Sequence, residues 1–297
     1  MRLSDNVGQT PLIPIRVGKY TVWGKCEFMN PGGSVKDRMA TYILNDAEDR
    51  GLIKKGDTLI EATSGNTGIA FAMLAAERGY RMVIIMPSNM SEERKQMLSL
   101  YGAELIEVGP GDFDAAIALR DESAKTFGWF NCNQFHNPLN IEAHYKITGP
   151  EIDKQFRDMH RGEEEWQEAF IVGTGTGGTI MGAGKYLKER TPGMKLIAVE
   201  PAESAVMSGC EPGLHGIQGI GDGSKFLVDL EEIDGVIAVP TECAKATARH
   251  LAKNYGLFVG ISAGANVYAS FQWLRDNGQT NAITILCDRG ERYLSCL

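Results

Sequence analysis

Short apolar runs that end in glycine-rich turns recur along the chain, and amphipathic, alanine-rich stretches follow them. Thr58-Leu-Ile-Glu-Ala62 predicts a strand, Ser64-Gly-Asn-Thr-Gly68 a tight turn and Ile69 to Arg78 a helix. Arg81-Met-Val-Ile-Ile-Met86 then predicts a strand stopped by Pro87. This is the unit in which a crossover helix joins two parallel strands. The pattern repeats. Ser91 to Tyr101 predicts a helix capped by Ser91, with Glu92 and Glu93 near its positive end, before a strand at Glu104–Val108. Ala169-Phe-Ile-Val172 leads into Gly173-Thr-Gly-Thr-Gly-Gly178, a helix through Glu189 and a strand at Leu196–Val199. Ala246 to Asn254 predicts a helix, Gly260-Ile-Ser-Ala-Gly264 opens another, and Ala282-Ile-Thr-Ile-Leu-Cys287 closes the series as a strand. Strands alternating with helices of about ten residues predict an α/β protein with parallel sheet. The polar, Glu-rich stretch from Arg157 to Gln167 reads as a solvated connection between two halves.

Composition narrows the class. The chain has 297 residues, enough for two domains or one large one, and 30 Lys+Arg against 38 Asp+Glu give a net charge of −8. That field disfavours nonspecific binding to nucleic acid or anionic lipid. No apolar run approaches the roughly 18 residues of a membrane span, and Met1 to Asn6 carries no signal-type stretch. The six cysteines are scattered without a Cys-x-x-Cys pair, which argues against a zinc site or a disulfide framework. With twelve methionines they point to a reducing compartment, the cytoplasm. The five histidines lack metal-ligand spacing, so no metal is expected.

Three glycine-rich turns carry the candidate chemistry, because such turns present backbone N–H groups at helix N-termini beside the carboxyl ends of parallel strands. Gly173-Thr-Gly-Thr-Gly-Gly-Thr179 is an anion cradle; its Gly-x-Gly-x-x-Gly spacing, with Glu200 about twenty residues on, also fits a dinucleotide. A bare strand–helix turn remains the third reading. Thr63-Ser-Gly-Asn-Thr-Gly68 offers hydroxyls and an amide without fixed charge, suited to a carboxylate, or simply a helix cap. Asn30-Pro-Gly-Gly-Ser-Val-Lys-Asp-Arg38 puts Lys36 at a predicted helix start, where the dipole disfavours a cation and favours the neutral amine of Schiff-base chemistry. The alternative is a solvated lysine paired with Asp37 or Asp57.

Read together, Pro31–Arg38, Glu61–Gly68, Gly175–Thr179, Gly216-Ile-Gln-Gly-Ile-Gly221, Gly260–Gly264 and Gly290–Ser295 resemble the cysteine synthase (O-acetylserine sulfhydrylase) family, fold type II enzymes using pyridoxal 5′-phosphate. The resemblance runs from Gly8-Gln-Thr-Pro-Leu12 to the last residues, and it displaces the dinucleotide reading. It implies two open, twisted, mostly parallel sheets flanked by helices. The implied N-terminal domain covers 36–145, with a mobile subdomain over about 81–127; 1–35 and 146–297 would form the cofactor-phosphate domain. Lys36 would hold the cofactor as an internal aldimine and move the α-proton, with Asn66 on the ring oxygen. Gly175, Thr176, Gly177, Gly178 and Thr179 would bind the phosphate, and Ser262 would face the pyridine nitrogen. Thr63, Ser64, Gly65, Thr67 and Gln134, with Gly219 on the facing loop, would bind the amino-acid substrate. The implied reaction is a β-replacement: O-acetyl-L-serine loses acetate to give an α-aminoacrylate, and sulfide adds to give L-cysteine. A homodimer is implied, and docking of a serine acetyltransferase C-terminal tail in the cleft is a further implication.

Two departures complicate the donor and the direction. Pro87–Arg94 and Cys287–Gly290 are similar to the B-type isozyme, which also accepts thiosulfate to form S-sulfocysteine, whereas Pro201–Gly209 and the Gly216–Gly221 loop look A-type. Asp222 stands where sulfhydrylases usually carry a small apolar residue. It is either a solvated loop aspartate or turn cap, or a base towards water or a thiol. As a base towards water it would turn cysteine into serine and release hydrogen sulfide. A cystathionine β-synthase-like reaction is a further alternative, and a non-catalytic regulator of the same fold is the reading from another class. Cys26, Cys132, Cys210 and Cys243 read as packed thiols, and Cys287 as a pocket wall.

Overall fold

The computed structural model describes residues 2–159 and 168–297, so most of the expected connection over 157–167, with His160 and Trp166, lies outside them. The strands form two sheets. The larger has the order β1-β2-β10-β7-β8-β9, built from β1 (Leu12–Val17), β2 (Tyr20–Lys25), β7 (Ala169–Gly173), β8 (Lys195–Pro201), β9 (Gly235–Val239) and β10 (Asn281–Ile285). The smaller has the order β5-β4-β3-β6, from β3 (Thr58–Ala62), β4 (Arg81–Pro87), β5 (Glu104–Val108) and β6 (Phe130–Asn131). The β1–β2 hairpin is antiparallel and every other pairing is parallel. This is the fold class the alternation of strands and helices predicts.

Helices cover the sheets, which is why the central strands are apolar along most of their length and fully buried. α1 (Lys36–Asp49) and α2 (Asn66–Arg78) pack Met39, Ile43, Leu44, Phe71 and Leu74 into one core with Leu59 and Ile84. α3 (Glu92–Leu100) follows β4, and α4 (Phe113–Phe127) closes the other face of the smaller sheet. α5 (Leu139–Ala143) and α6 (Gly149–Met159) are joined by a π-type turn at His144–Thr148. α8 (Thr241–Tyr255) and α9 (Ile261–Asp276) cover the larger sheet with a second core.

Several expectations shift in detail. α2 begins at Asn66 and not Ile69, so the polar residues of the turn are its first turn. After Thr179 the chain makes a second π-type turn, Ile180–Gly184, before α7 (Lys185–Arg190). There Gly182 packs against the backbone at Ile141 and Tyr145, leaving no room for a side chain. Ser91 stands at the N-cap of α3 but does not cap it; its hydroxyl donates to Arg292 O at 3.0 Å. β10 ends at Ile285, so Cys287 lies beyond it, and Cys210 is an exposed thiol, not a packed one.

Candidate active site

Lys36 opens α1 directly after a turn fastened to the chain beyond β10. The turn before it is pinned twice: Val35 N–H donates to Cys287 O at 2.9 Å, and Ser34 bridges to Asp288. Asp37 is buried and accepts from Gly32 N–H at 2.5 Å; burial pushes its carboxyl up to about 7. Asp57 accepts from Lys54 N–H. Neither carboxylate therefore takes Lys36, which is half-buried and has no ion pair among the described residues. Its ammonium acts instead on Asp222, Cys287 and His144.

The glycine-rich turn after β7 forms one wall. Gly221 N–H donates to Thr174 O and Leu227 N–H to Thr176 O, so the 216–228 segment is fastened along it. A Cβ on Gly175 would stand 2.6 Å from Gly219 O and 3.5 Å from Asp222 Oδ2, an approach only glycine allows. Thr179 Oγ1 lies 3.3 Å from His144 Nε2, and Thr148 Oγ1 is 2.9 Å from the other ring nitrogen. Burial pushes His144 down to about 3, and Arg38 and Lys36 push the same way against Glu27, so the ring is neutral.

The opposite wall is the Thr63–Thr67 turn. Thr63 Oγ1 accepts from Gly65 N–H at 3.0 Å, and Thr67 donates to Gln134 Oε1 at 2.5 Å. Gln134 is held in turn by Ala62 O and by the buried Glu61, whose other oxygen pairs with Arg120. Burial raises the Glu61 carboxyl even so, with Arg120 opposing. Asn66 is engaged on both sides: Nδ2 donates to Asp288 at 2.7 Å and Oδ1 accepts from Arg292 at 2.5 Å. One Nδ2 hydrogen is left for another acceptor. Ser262 is buried in the first turn of α9 and neighbours the Cys287 thiol, which burial pushes up to about 12.

Between Ser64 and the 212–223 segment lies a cleft of about 250 Å³, lined also by Met90, Leu214, His215, Gly219 and Asp222. Asp222 is half-buried and accepts no side-chain or backbone hydrogen bond of its own among the described residues, so it caps no turn. Burial pushes its carboxyl up, while Lys36, His215 and Arg94 pull it down. Of the sequence-predicted residues, Ser64, Gly219 and Asp222 line this cleft; the others lie in the turns described above and not in its lining. Sequence reasoning missed Arg94, Asn140, His144, Asp288, Arg292 and Tyr293, all buried and bonded to these turns or to one another. In the sequence, Pro87–Arg94 and Cys287–Gly290 stand out only as subfamily marks.

The family described as pyridoxal-phosphate dependent enzyme matches residues 3–288. A cysteine synthase of Staphylococcus aureus is 42% identical over 303 residues, covering 99% of this chain and 95% of the relative. A crystal structure of a hydrogen sulfide-producing enzyme from Fusobacterium nucleatum superposes with TM-score 0.91 at 36% identity, covering 98% of this chain and 99% of that one. An O-ureido-L-serine synthase structure does so with TM-score 0.91 at 37% identity, covering 100% of this chain and 94% of that one.

The residues present fit the family's cofactor. Lys36 is an amine without a carboxylate partner among the described residues, the turn after β7 is a glycine cradle at the end of a parallel strand, and Ser262 is a neutral hydroxyl that, like Lys36, acts on Cys287. The chain belongs to the pyridoxal-phosphate dependent enzymes and is a homologue of cysteine synthase.

Proposed function

We propose that the chain makes L-cysteine and acetate from O-acetyl-L-serine and sulfide. The observation that carries this reading is the company of Lys36: the first residue of α1, free of ion pairs among the described residues, acting on Asp222 across the cleft and on Cys287 beside Ser262.

Bound at Lys36, pyridoxal phosphate supplies the electron sink that lets an α-proton and then a β-substituent leave. The Lys36 amine holds the cofactor, then takes the α-proton of the bound amino acid. Thr63, Ser64, Gly65, Thr67 and Gln134 hold the substrate carboxylate, with Gly219 on the facing loop; Thr67 and Gln134 are preorganised by their mutual bond. Gly175 to Thr179 would hold the phosphate, and Asn66 would offer its remaining amide hydrogen to the ring oxygen. Ser262 would stand at the ring nitrogen as a neutral group, which does not stabilise a protonated ring. The subdomain of about 81–127 closes over the cleft and excludes water.

Asp222 favours a second reading on the same scaffold. Its carboxylate, in the cleft and without a hydrogen-bond partner among the described residues, can take a proton from water, and addition of that water in place of sulfide converts L-cysteine to L-serine and releases hydrogen sulfide. Work as a cytoplasmic homodimer, with a serine acetyltransferase tail docking in the cleft, belongs to the same proposal.

The test is the near-visible spectrum of the purified protein. An absorption band that shifts with O-acetylserine and recovers with sulfide supports the synthase reading. A band that answers only to cysteine, with hydrogen sulfide formed, supports the second. A colourless protein that stays so with added pyridoxal phosphate overturns both.

A further inference from the structure

We propose that Asn140 is a positioning residue that couples the substrate-carboxylate turn to the phosphate cradle. Asn140 is 1% exposed, the second residue of α5, and its Nδ2 donates twice: to Gln134 O at 2.9 Å and to Thr176 Oγ1 at 2.9 Å. Both amide hydrogens are thereby used, one on each wall of the cleft.

The consequence at Thr176 is directional. Its hydroxyl oxygen accepts from Asn140 and, at 3.4 Å, from Gly178 N–H, so both lone pairs are occupied and its hydrogen must be donated elsewhere. The turn is thus set as a donor for an anion. At Gln134, the same amide holds the backbone of a residue whose side chain bonds Thr67 and Ala62. A Cβ on Gly178 would overlap Asn140 Oδ1 and stand 2.6 Å from its Cγ. Glycine at 178 is therefore demanded by Asn140 as well as by any phosphate.

One rigid amide between two anion sites makes occupancy of one felt at the other, and such coupling is reciprocal. Filling the carboxylate site tightens cofactor retention, and a filled phosphate cradle tightens carboxylate binding. This rests on the assignment of Thr67 and Gln134 to the carboxylate and of Gly175–Thr179 to the phosphate.

The experiment measures loss of pyridoxal phosphate from the holoenzyme by dialysis, with and without saturating propionate, a carboxylate with no amine to react. In the unaltered enzyme, propionate should tighten retention about fivefold or more. In Asn140→Ala, retention should weaken and the propionate factor should fall to within about twofold of one. Thr176→Val, which keeps side-chain volume but removes the other end of the bridge, should lose the factor too. A merely structural role would weaken retention equally in both conditions and leave the factor intact; that result, or no propionate effect in the unaltered enzyme, overturns the coupling. If Gln134→Ala keeps the full factor, the carboxylate assignment itself fails.

Discussion

The Arg94 guanidinium lies over the Tyr293 ring, 5.0 Å from its centroid, and donates to the Tyr293 hydroxyl at 2.6 Å. The two residues are 199 positions apart, so the first turn of α3 is fastened to the end of the chain. Ser295 adds two bonds to Glu93, and Ser91 adds one to Arg292 O. Arg94 also donates to Ser64 O at 2.7 Å and runs beneath Gly65, where φ is +140° and a Cβ would collide with Arg94 Cδ. One buried cation thus shapes the Thr63–Thr67 turn and ties down the segment expected to move.

Arg94→Met should therefore damage both stability and substrate binding. It removes charge-assisted bonds and leaves the buried Asp288 carboxylate, 3.9 Å from Arg94, with less compensation. A loss of about 3 kcal/mol is expected from breaking such a buried arrangement. Denaturant unfolding checks the stability, and a KM for O-acetylserine raised more than kcat is reduced checks the role of the turn.

Lys36→Ala should lower turnover by about a thousandfold or more, since it deletes both the attachment point and the proton carrier. The fold should survive, because Lys36 makes no ion pair among the described residues and the α1 start is held by backbone bonds from Val35 and Gly32. Circular dichroism of the variant checks the fold; near-normal activity would sink the proposed chemistry.

Asp222→Asn should lower hydrogen sulfide release from cysteine relative to sulfide incorporation, changing the ratio of the two rates by about tenfold or more. The base works only when ionised, so hydrogen sulfide release should fall as pH drops. Because burial raises the Asp222 carboxyl, the fall should begin above the range of an ordinary aspartate. An unchanged ratio would return Asp222 to a passive loop residue.

β3, β4, β5, β7, β8, β10 and the three glycine turns are legible in the sequence because their signals are local: an apolar run, a glycine cluster, then helical periodicity; β1, β2, β6 and β9 lack that sequel and go unpredicted. The turns that carry Lys36, Thr67 and Thr176 stand out for the same reason. Arg94, Asn140, Asp288 and Tyr293 do not, since each acquires its role from tertiary neighbours that no local pattern brings together. Asn140 has no distinguishing neighbours in sequence; it matters because Gln134 and Thr176 converge on it. Ser91 illustrates the opposite error. It has every local mark of a cap, yet the tertiary neighbour Arg292 O takes its hydroxyl.

His144 gives a prediction in which the direction of the pH effect is fixed by burial. The ring is 1% exposed and pushed down to about 3 from the usual 6.5, so between those values the unfolded chain binds a proton that the folded chain refuses. Its contribution to stability is complete above 6.5 and is lost as pH falls towards 3. Asp37 works against it: with its carboxyl raised to about 7 from 3.8, the folded chain keeps a proton that the unfolded chain releases. Stability from Asp37 grows as pH falls through nearly the same window, so the overall pH curve conceals both. The difference between the unaltered chain and His144→Gln isolates the histidine, since Asp37 is common to both. That difference should shrink by about 2 kcal/mol between about pH 7 and pH 5, from roughly 1.36 kcal/mol per unit below about 6.5. Denaturant unfolding at about pH 5, 6 and 7 measures it. A difference that does not vary with pH would mean that His144 titrates alike in the folded and unfolded chain, contrary to its burial behind Thr179.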